Sequence, residues 1–400
     1  MKLLSYRLSS SSLKPIALMV LALTTHSAVA EDWTWHGFLS QGLIQARDSN
    51  FVNNDGDASA RLTEIGVNSV YKIDNDLKVS GQLMYLNGGN RFVDGVRIDY
   101  LFLNWTPYNT LDWQLDLYLG RFKNMHWAYS STRDVALTRP LIVLPQSVYF
   151  DSFRDIAVGS DGLAVRSTHN LAIGELEFIW SWGATPVSRD MSRRVISTDV
   201  LGETDQKFVH QASAYWRPSE SQMQWGLSLL DSDFSYRKAE LDHYFDGDFT
   251  VQRTMLNWRY SAEHWELTSE IMQERVNVKG FIFPQLVRNQ FAQGAFLLAR
   301  FDWSEFTSWY LSYDYFIANK DDPSGSQLPL TSGGFIPSYF GYQRDAAISV
   351  DHEVAENFRL KLEYHWIEGT GRLGPNVVPD VVVNQHRTHD IWALQLLYWF

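Results

Sequence analysis

Apolar and polar residues alternate along most of the chain beyond residue 31. In the clearest segment, 111–119, Leu and Trp occupy the odd positions, while Asp, Gln and Tyr occupy the even ones. A period of two residues is typical of a β-strand with two different faces. The pattern predicts sixteen strands, at 33–46, 61–72, 77–87, 96–106, 111–121, 156–166, 173–182, 207–217, 222–231, 250–260, 264–275, 290–301, 305–317, 340–352, 356–368 and 388–400.

The connections between these strands alternate in length. Short turns fall at 73–76, 107–110, 218–220, 261–263 and 302–304. Long polar segments fall at 47–60, 122–155, 183–206, 232–249, 276–289, 318–339 and 369–387. Such alternation puts all short turns at one end of a barrel and all long loops at the other, and a soluble sandwich has no need of it. We therefore predict an all-β fold, a closed antiparallel transmembrane β-barrel of about sixteen strands.

The two faces of these strands differ in the way a membrane barrel requires. Trp and Tyr lie toward the ends of the apolar faces, and several acids and bases lie on the opposite faces. A barrel in lipid has an apolar outer band with aromatic girdles, and its interior is polar. We expect apolar side chains to face lipid and ionised ones to face enclosed water. The faces are poorly separated near 96–106, 207–217 and 290–301.

The amino-acid composition limits the classes of function that the chain can have. Aromatic residues make up 14 %, with 16 Trp, 19 Tyr and 23 Phe, which is more large aromatic surface than a single soluble core takes up. The 46 acidic and 34 basic residues argue against a nucleic-acid partner. The absence of cysteine excludes disulfides, Cys-ligated metals and thiol nucleophiles.

The first thirty residues have the pattern of a secretory signal peptide. Lys2, Arg7 and Lys14 give a basic start, residues 15–23 form a short apolar core, and 28–30 read Ala-Val-Ala. We predict a signal peptide at 1–30 and a mature barrel at 31–400. The apolar core is too short to cross a bilayer.

The end of the sequence resembles a known family. Phe400 and Tyr398 lie on one face with Leu396, Leu394 and Trp392, an arrangement that resembles the C-terminal signature of Gram-negative outer-membrane barrels. The resemblance implies location in the outer membrane, closure of this strand against the first strand, and recognition of Phe400 and Tyr398 by the barrel-assembly machinery.

Residues 31–400 also resemble the sixteen-stranded porins. In those proteins the longest inward loop follows the fifth strand, and here the gap at 122–155 is the longest. Its Thr138-Arg139-Pro140 and 145–149 portions are similar to phosphate-selective-type and related substrate-specific porins. The resemblance implies that 122–155 folds into the barrel as a constriction, and that the barrel forms a homotrimer.

The charges of this segment are the candidate pore constriction. They are three arginines beside three aspartates: Arg133, Arg139, Arg154, Asp134, Asp151 and Asp155. Opposed charges in a narrow, partly dehydrated opening would act strongly on passing ions and dipoles. Two alternatives stay open: the charges pair within the loop to hold it in place, or the segment is a surface loop outside the pore.

Charged residues on the inward faces form the candidate pore wall. These are Asp112, Asp116, Arg253, Arg259, Glu266, Glu270, Arg359 and Lys361, with Glu175, Glu177 and Glu274 on the same faces. Acidic residues slightly outnumber basic ones on these faces, so we expect a mild preference for cations by default.

We expect passive diffusion of small hydrophilic solutes and ions through an outer-membrane porin. Outer-membrane lipid and lipopolysaccharide are the expected surroundings; no catalytic set, metal site or cofactor is predicted. An outer-membrane barrel enzyme, or an adhesin or structural barrel without conductance, is the alternative.

Overall fold

The computed structural model describes residues 32–154, 159–372 and 385–400. The predicted signal peptide at 1–30 and the predicted constriction residue Asp155 lie outside the described residues. Among the described residues, no helix is both long and apolar enough to cross a lipid bilayer.

Sixteen antiparallel strands form one closed barrel, in which each strand pairs with its sequence neighbours and β1 pairs with β16. This confirms the predicted fold. The strands are β1 Trp33–Arg47, β2 Thr63–Lys72, β3 Leu77–Asn87, β4 Gly95–Asn109, β5 Trp113–Lys123, β6 Gly159–Leu171, β7 Gly174–Ala184, β8 Glu203–Pro218, β9 Met223–Arg237, β10 Gly247–Ser261, β11 Trp265–Gly280, β12 Val287–Ser304, β13 Thr307–Ile317, β14 Tyr342–Ala355, β15 Phe358–Gly369 and β16 Thr388–Trp399.

Short and long connections alternate around this barrel. The short ones join β2 to β3, β4 to β5, and so on to β14 and β15, and the long ones join β1 to β2, β3 to β4, and so on to β15 and β16. Two short helices, α1 Arg189–Val195 and α2 Gln327–Thr331, lie in long connections. We call the two ends of the barrel the short-turn end and the long-loop end.

The outward face of the wall is apolar. Leu256 on β10 and Ile271 on β11 lie opposite each other, and each is 56 % exposed. Their inward neighbours Met255, Asn257 and Glu270 are buried. The predicted register, with alternate residues facing opposite sides, is correct for these strands.

The inward face, however, is not uniformly polar. The expectation that apolar side chains face lipid and ionised ones face enclosed water is therefore wrong for part of the wall. Phe296 and Leu298 on β12 point inward and are buried, in a cluster with Met255, Met272 and the connection between β5 and β6. A second cluster joins inward Ile391 and Ala393 of β16 to Ile142 and Val143 of that connection. The barrel therefore contains an apolar core rather than only water.

Phe400 lies at the seam where the barrel closes. Its backbone N–H donates to the carbonyl of Gly37 on β1 at 3.0 Å, and its carbonyl accepts from Gly37 at 3.1 Å. A Cβ at Gly37 would lie 2.3 Å from Cζ of Phe400, so the missing side chain leaves room for the ring. The Tyr398 ring lies between those of Phe358 and Phe400, tilted by 32° to each, with centroids 4.7 and 6.1 Å away.

Candidate functional site

Residues 124–154, the described part of the connection between β5 and β6, form what we call the internal loop. Near its start lies His126, whose ring nitrogens each lie 2.9 Å from a serine hydroxyl, Ser213 on β8 and Ser181 on β7. Tyr215 and Ser228 donate to the His126 carbonyl. Burial lowers the pKa of His126 to about 3, so the imidazole is neutral. Its hydrogen bonds fix the start of the internal loop to β7 and β8.

Three inward carboxylates hold the backbone of the internal loop. Glu270 on β11 accepts from Ala128 N–H at 2.9 Å and from the Tyr149 hydroxyl at 2.5 Å. Asp314 on β13 accepts from Ser147 N–H at 3.1 Å. Glu363 on β15 accepts from the N–H groups of Ile142 and Val143 at 2.7 and 2.8 Å. Backbone donors without helix or strand partners are thus satisfied by side-chain carboxyl oxygens of the wall.

Inward cations hold the loop carbonyls in the same way. Lys361 on β15 donates to the carbonyl of Arg139, and Arg253 on β10 donates to that of Val148 at 3.3 Å. Arg253 also stacks on Trp127, 4.8 Å from the ring centroid. The loop is therefore fastened to strands on opposite sides of the barrel.

The charged side chains of the internal loop are buried in ion pairs. Arg133 donates to Asp151 at 2.8 Å, and Asp151 accepts from Arg91 at the same distance. Arg154 pairs with Asp134. Burial alone would raise the pKa of Asp151, but Arg91, Arg133 and Arg154 outweigh it and lower that pKa to about 2.

One of these pairs joins the loop to the wall. Arg139 donates to both carboxylate oxygens of Glu64 on β2, at 3.0 and 2.6 Å. Nη1 of Arg154 lies 4.0 Å from the same carboxylate. A bidentate pair of this kind fixes orientation as well as position.

The five described constriction residues therefore lie together, in ion pairs inside the barrel. None of Arg133, Asp134, Arg139, Asp151 and Arg154 is more than 4 % exposed. Each of them pairs with an opposite charge, as the first alternative stated above expects. Their role at a pore constriction stays a prediction.

Seven of the eight predicted wall residues fall into three groups. Arg253, Glu270 and Lys361 contact the internal loop. Arg259, Glu266 and Arg359 lie toward the short-turn end, with Arg259 3.9 Å from Glu266 and Arg359 3.3 Å from Asp351. Arg359 also donates to the Leu137 carbonyl of the internal loop at 3.4 Å. Asp116 lies on the inward face of β5 and accepts from Thr106 and Gln114.

Asp112 does not lie on the wall. It is exposed in the turn before β5, because Thr110 closes that turn by accepting from Trp113 N–H at 3.1 Å and donating its own N–H to Trp113 O at 2.8 Å. The strand thus begins at Trp113, two residues later than predicted.

Two cavities border the internal loop. The lower cavity, about 210 Å³ at the short-turn end, is lined by Arg139, Glu266, Arg300, Asp351, Glu353 and Arg359 among others. The upper cleft, about 260 Å³ at the long-loop end, is lined by Arg97, Asp99, Arg121, Asp134, Arg154 and Asp161 among others. Within the described residues, no group of three or more His, Asp and Glu side chains could hold a metal ion.

The inner wall is covered at one or more positions on every strand. Every strand carries an inward side chain that is at most 6 % exposed, namely Ser40, Glu64, Gln82, Asn104, Asp116, Ala164, Ser181, Ser213, Ser228, Asn257, Glu270, Phe296, Asp314, Ser349, Glu363 and Gln395. At least one inward side chain on every strand is thus covered, and the internal loop, which is hydrogen-bonded to strands on opposite sides, lies across the lumen as a diaphragm.

The geometry can be compared with known proteins. No family model matches the sequence, and no curated protein matches it either. Solved structures do match: the outer membrane channel DcaP of Acinetobacter baumannii (TM-score 0.56, 12 % identity), an anion-selective porin from Comamonas acidovorans (0.55, 10 %) and OmpF of Salmonella typhi in complex with daunomycin (0.55, 11 %). Each match covers 92 % of this chain, and 97 %, 99 % and 97 % of the other chain respectively. The chain has the fold of a sixteen-stranded porin.

Several residues of this porin-fold site were missed from sequence. Glu64 and Asp314 are single acids in strands that the alternation predicts, and their inward position was the available signal. Arg91 and Arg372 lie in long connections, where no periodicity applies. Arg372 donates to Glu274 at 3.0 Å and stacks on Phe316, 4.2 Å from the ring centroid.

Proposed function

We propose that the protein is an outer-membrane porin of a Gram-negative bacterium, through which small hydrophilic solutes and ions diffuse. The observation that carries this proposal is the closed barrel with two charged cavities that border the internal loop, of which the upper cleft is also lined by the outward-facing Val96 and Ile98. Charged, hydrated recesses at both ends of a barrel suit polar solutes.

The outer surface supports placement in a membrane. Large apolar side chains are exposed all round the wall, among them Leu83, Leu119, Trp180, Leu227, Leu256, Ile271, Leu311, Leu362 and Leu396. Soluble proteins rarely expose continuous apolar surface of this extent. In lipid, a closed barrel also leaves no unpaired strand edge.

The surroundings follow from the same proposal. Lipid and lipopolysaccharide would contact the apolar wall and its long-loop rim. Tyr398 and Phe400 would be read by the barrel-assembly machinery during insertion, and three copies would form a homotrimer. The signal peptide at 1–30 would direct export.

An enzymatic role has no comparable support. The best candidate base is His365 on β15, which is buried between two carboxylates. Its Nδ1 lies 2.9 Å from Asp345 and its Nε2 lies 2.8 Å from Glu363, so both ring nitrogens are occupied. We propose that the protein is not an enzyme and needs no cofactor.

Single-channel recording in planar bilayers tests the proposed function. Purified, folded protein should give discrete current steps and a measurable reversal potential in a salt gradient. Heat-denatured protein in the same detergent is the control. Folded protein that gives no current under any voltage would contradict the proposal and favour an adhesin or a structural barrel.

A further inference from the structure

The strand pairing of the wall is interrupted beside the upper cleft. Residues 95–98 of β4 pair with β3, but among the described residues the pairing of β4 with β5 ends at Leu101 and Arg121. β5 continues to Lys123, which pairs with Gly159 on β6. β4 and β5 therefore separate at the long-loop end, where the chain leaves the wall for the internal loop.

The upper cleft lies at this gap and contacts both faces of the wall. Val96 and Ile98 line it from the outward face, where they are 69 % and 49 % exposed. Asp99 and Asp134 line it from inside and are buried, as is Met191 of α1. A cavity that is lined by outward and inward side chains of the same wall opens sideways, onto the outer surface of the barrel.

Arg121 crosses the mouth of this cleft. Its Nε and Nη2 donate to the two carboxylate oxygens of Asp161 on β6, at 2.6 and 2.7 Å. Its Nη1 donates to the carbonyl of Ile98 on β4 at 3.3 Å. The side chains of Arg121 and Asp161 are 35 % and 43 % exposed, and exposed ion pairs contribute little to stability. This bridge can therefore open while the strand pairing of the barrel holds.

We propose that the upper cleft is a lateral entrance, which admits the polar head of a single-chain zwitterionic amphiphile from the outer leaflet of the membrane. The inference rests on the proposed placement in the outer membrane, with the long loops outside. It goes beyond the proposed diffusion of hydrophilic solutes along the barrel axis. The apolar chain of the amphiphile lies on Val96 and Ile98, and its head passes Arg121 toward Asp99.

The lining of the cleft fits such a molecule. Its described lining residues include three arginines and four aspartates, and its outward edge is apolar. A head that carries both charges can pair with this set, whereas a single charge taken out of water needs one good partner. The cleft has about 260 Å³, below the roughly 300 Å³ at which pockets for drug-sized ligands begin. It therefore takes a head group and not a whole lipid.

Photolabelling tests the entrance. Purified full-length protein in phosphatidylcholine vesicles is irradiated with a lysophosphatidylcholine that carries a diazirine next to its head group, and the labelled residues are identified by mass spectrometry. Met191 and Ser160, which line the cleft from inside, should be labelled, and excess unlabelled lysophosphatidylcholine should suppress this. Leu119, outward and 62 % exposed, contacts lipid directly and serves as the reference.

Two variants should change the ratio of Met191 to Leu119 labelling in opposite directions. Ile98→Asp should lower it about fivefold, because the apolar contact of one half-exposed isoleucine is lost. Arg121→Ala should raise it several-fold, because the bridge across the mouth is gone. Retention of a compact, heat-modifiable band on electrophoresis shows that each variant is folded.

The matched control is Leu83→Asp. Leu83 lies directly opposite Ile98 on β3 and is 48 % exposed on the same outward face, but it does not line the cleft. The labelling ratio of this variant should equal that of the wild type. The inference fails if Leu83→Asp lowers the ratio as much as Ile98→Asp does.

Two further outcomes would overturn the inference. If Leu119 is labelled but Met191 and Ser160 are not, even in Arg121→Ala, another chain or a second copy covers the cleft. If Leu119 is not labelled either, the placement in the membrane is wrong, and the inference falls with it. Single-channel current, which tests the proposed diffusion of solutes, is measured independently of both.

Discussion

At the scale of single residues, the interior depends on paired charges. Removing an Arg or Asp from water is expensive, and only good geometry with further hydrogen bonds offsets the cost. Asp151 meets that condition because Arg91 and Arg133 both donate hydrogen bonds to it. Glu64 meets it because Arg139 binds its carboxylate in a bidentate pair. Removing one member leaves an uncompensated buried charge, so these residues fix a single loop conformation.

The first prediction concerns the pH dependence of loop docking. Because the pKa of Asp151 in the folded protein, about 2, lies below its ordinary value of 3.8, its ionised form stabilises the docked loop above about pH 4. This contribution is lost as the pH falls through 2. Asp151→Asn lacks it at every pH.

Single-channel current recorded between pH 7 and pH 2 checks this prediction. The current through Asp151→Asn should exceed that through the wild type at neutral pH, because the loop is held less firmly. The two should converge as the pH falls from 4 to 2. A difference that persists unchanged at pH 2 would contradict the role given to Asp151.

At the scale of strands, the sequence predicted the barrel well because lipid and core impose a period of two residues. Each observed strand overlaps a predicted one. The faces of 290–301 were poorly separated because Phe296 and Leu298 point inward against the internal loop. A loop that fills the lumen makes part of the inner wall apolar, and periodicity alone does not reveal which part.

The candidate site was only partly predictable, for a similar reason. The loop charges were named correctly, but their partners lie far away in sequence: Glu64 is 75 residues from Arg139, and Glu363 is 220 residues from Val143. Which inward acid faces which loop residue depends on how the loop crosses the lumen. No local pattern encodes that path.

The second prediction concerns the seam between β1 and β16. Gly37→Val should displace the Phe400 ring and destabilise the folded barrel by about 1–3 kcal/mol. Gly81→Val is the control, because a Cβ at Gly81 would meet the flexible Leu101 side chain at 3.3 Å and the Tyr100 carbonyl oxygen at an ordinary contact distance of 3.8 Å. The temperature at which the compact electrophoretic band disappears measures the effect.

A double variant separates the steric cause from other effects. Phe400→Ala removes the ring that the new valine would strike. Gly37→Val combined with Phe400→Ala should therefore lose less stability than the sum of the two single variants. Strict additivity would mean that the ring and Gly37 act independently.

At the scale of the whole molecule, one loop couples strands that are far apart around the barrel. The internal loop is hydrogen-bonded to β2, β7, β8, β9, β10, β11, β13 and β15. It therefore acts both as a cross-brace for the wall and as the barrier between the two cavities. Permeability and stability should depend on it together.

The third prediction separates those two roles. Replacing residues 127–152 by a short Gly/Ser linker removes the diaphragm but none of the strand pairing, so the barrel should still form, with a lower melting temperature. Its single-channel conductance should rise several-fold, because the covered inner wall becomes accessible to water. The control is removal of residues 327–336, a part of the β13–β14 connection in which no residue is buried. This deletion should leave the conductance unchanged. If the loop-deleted barrel folds but conducts like the wild type, the wall alone limits the current. The barrier then lies outside the internal loop, and the prediction is wrong.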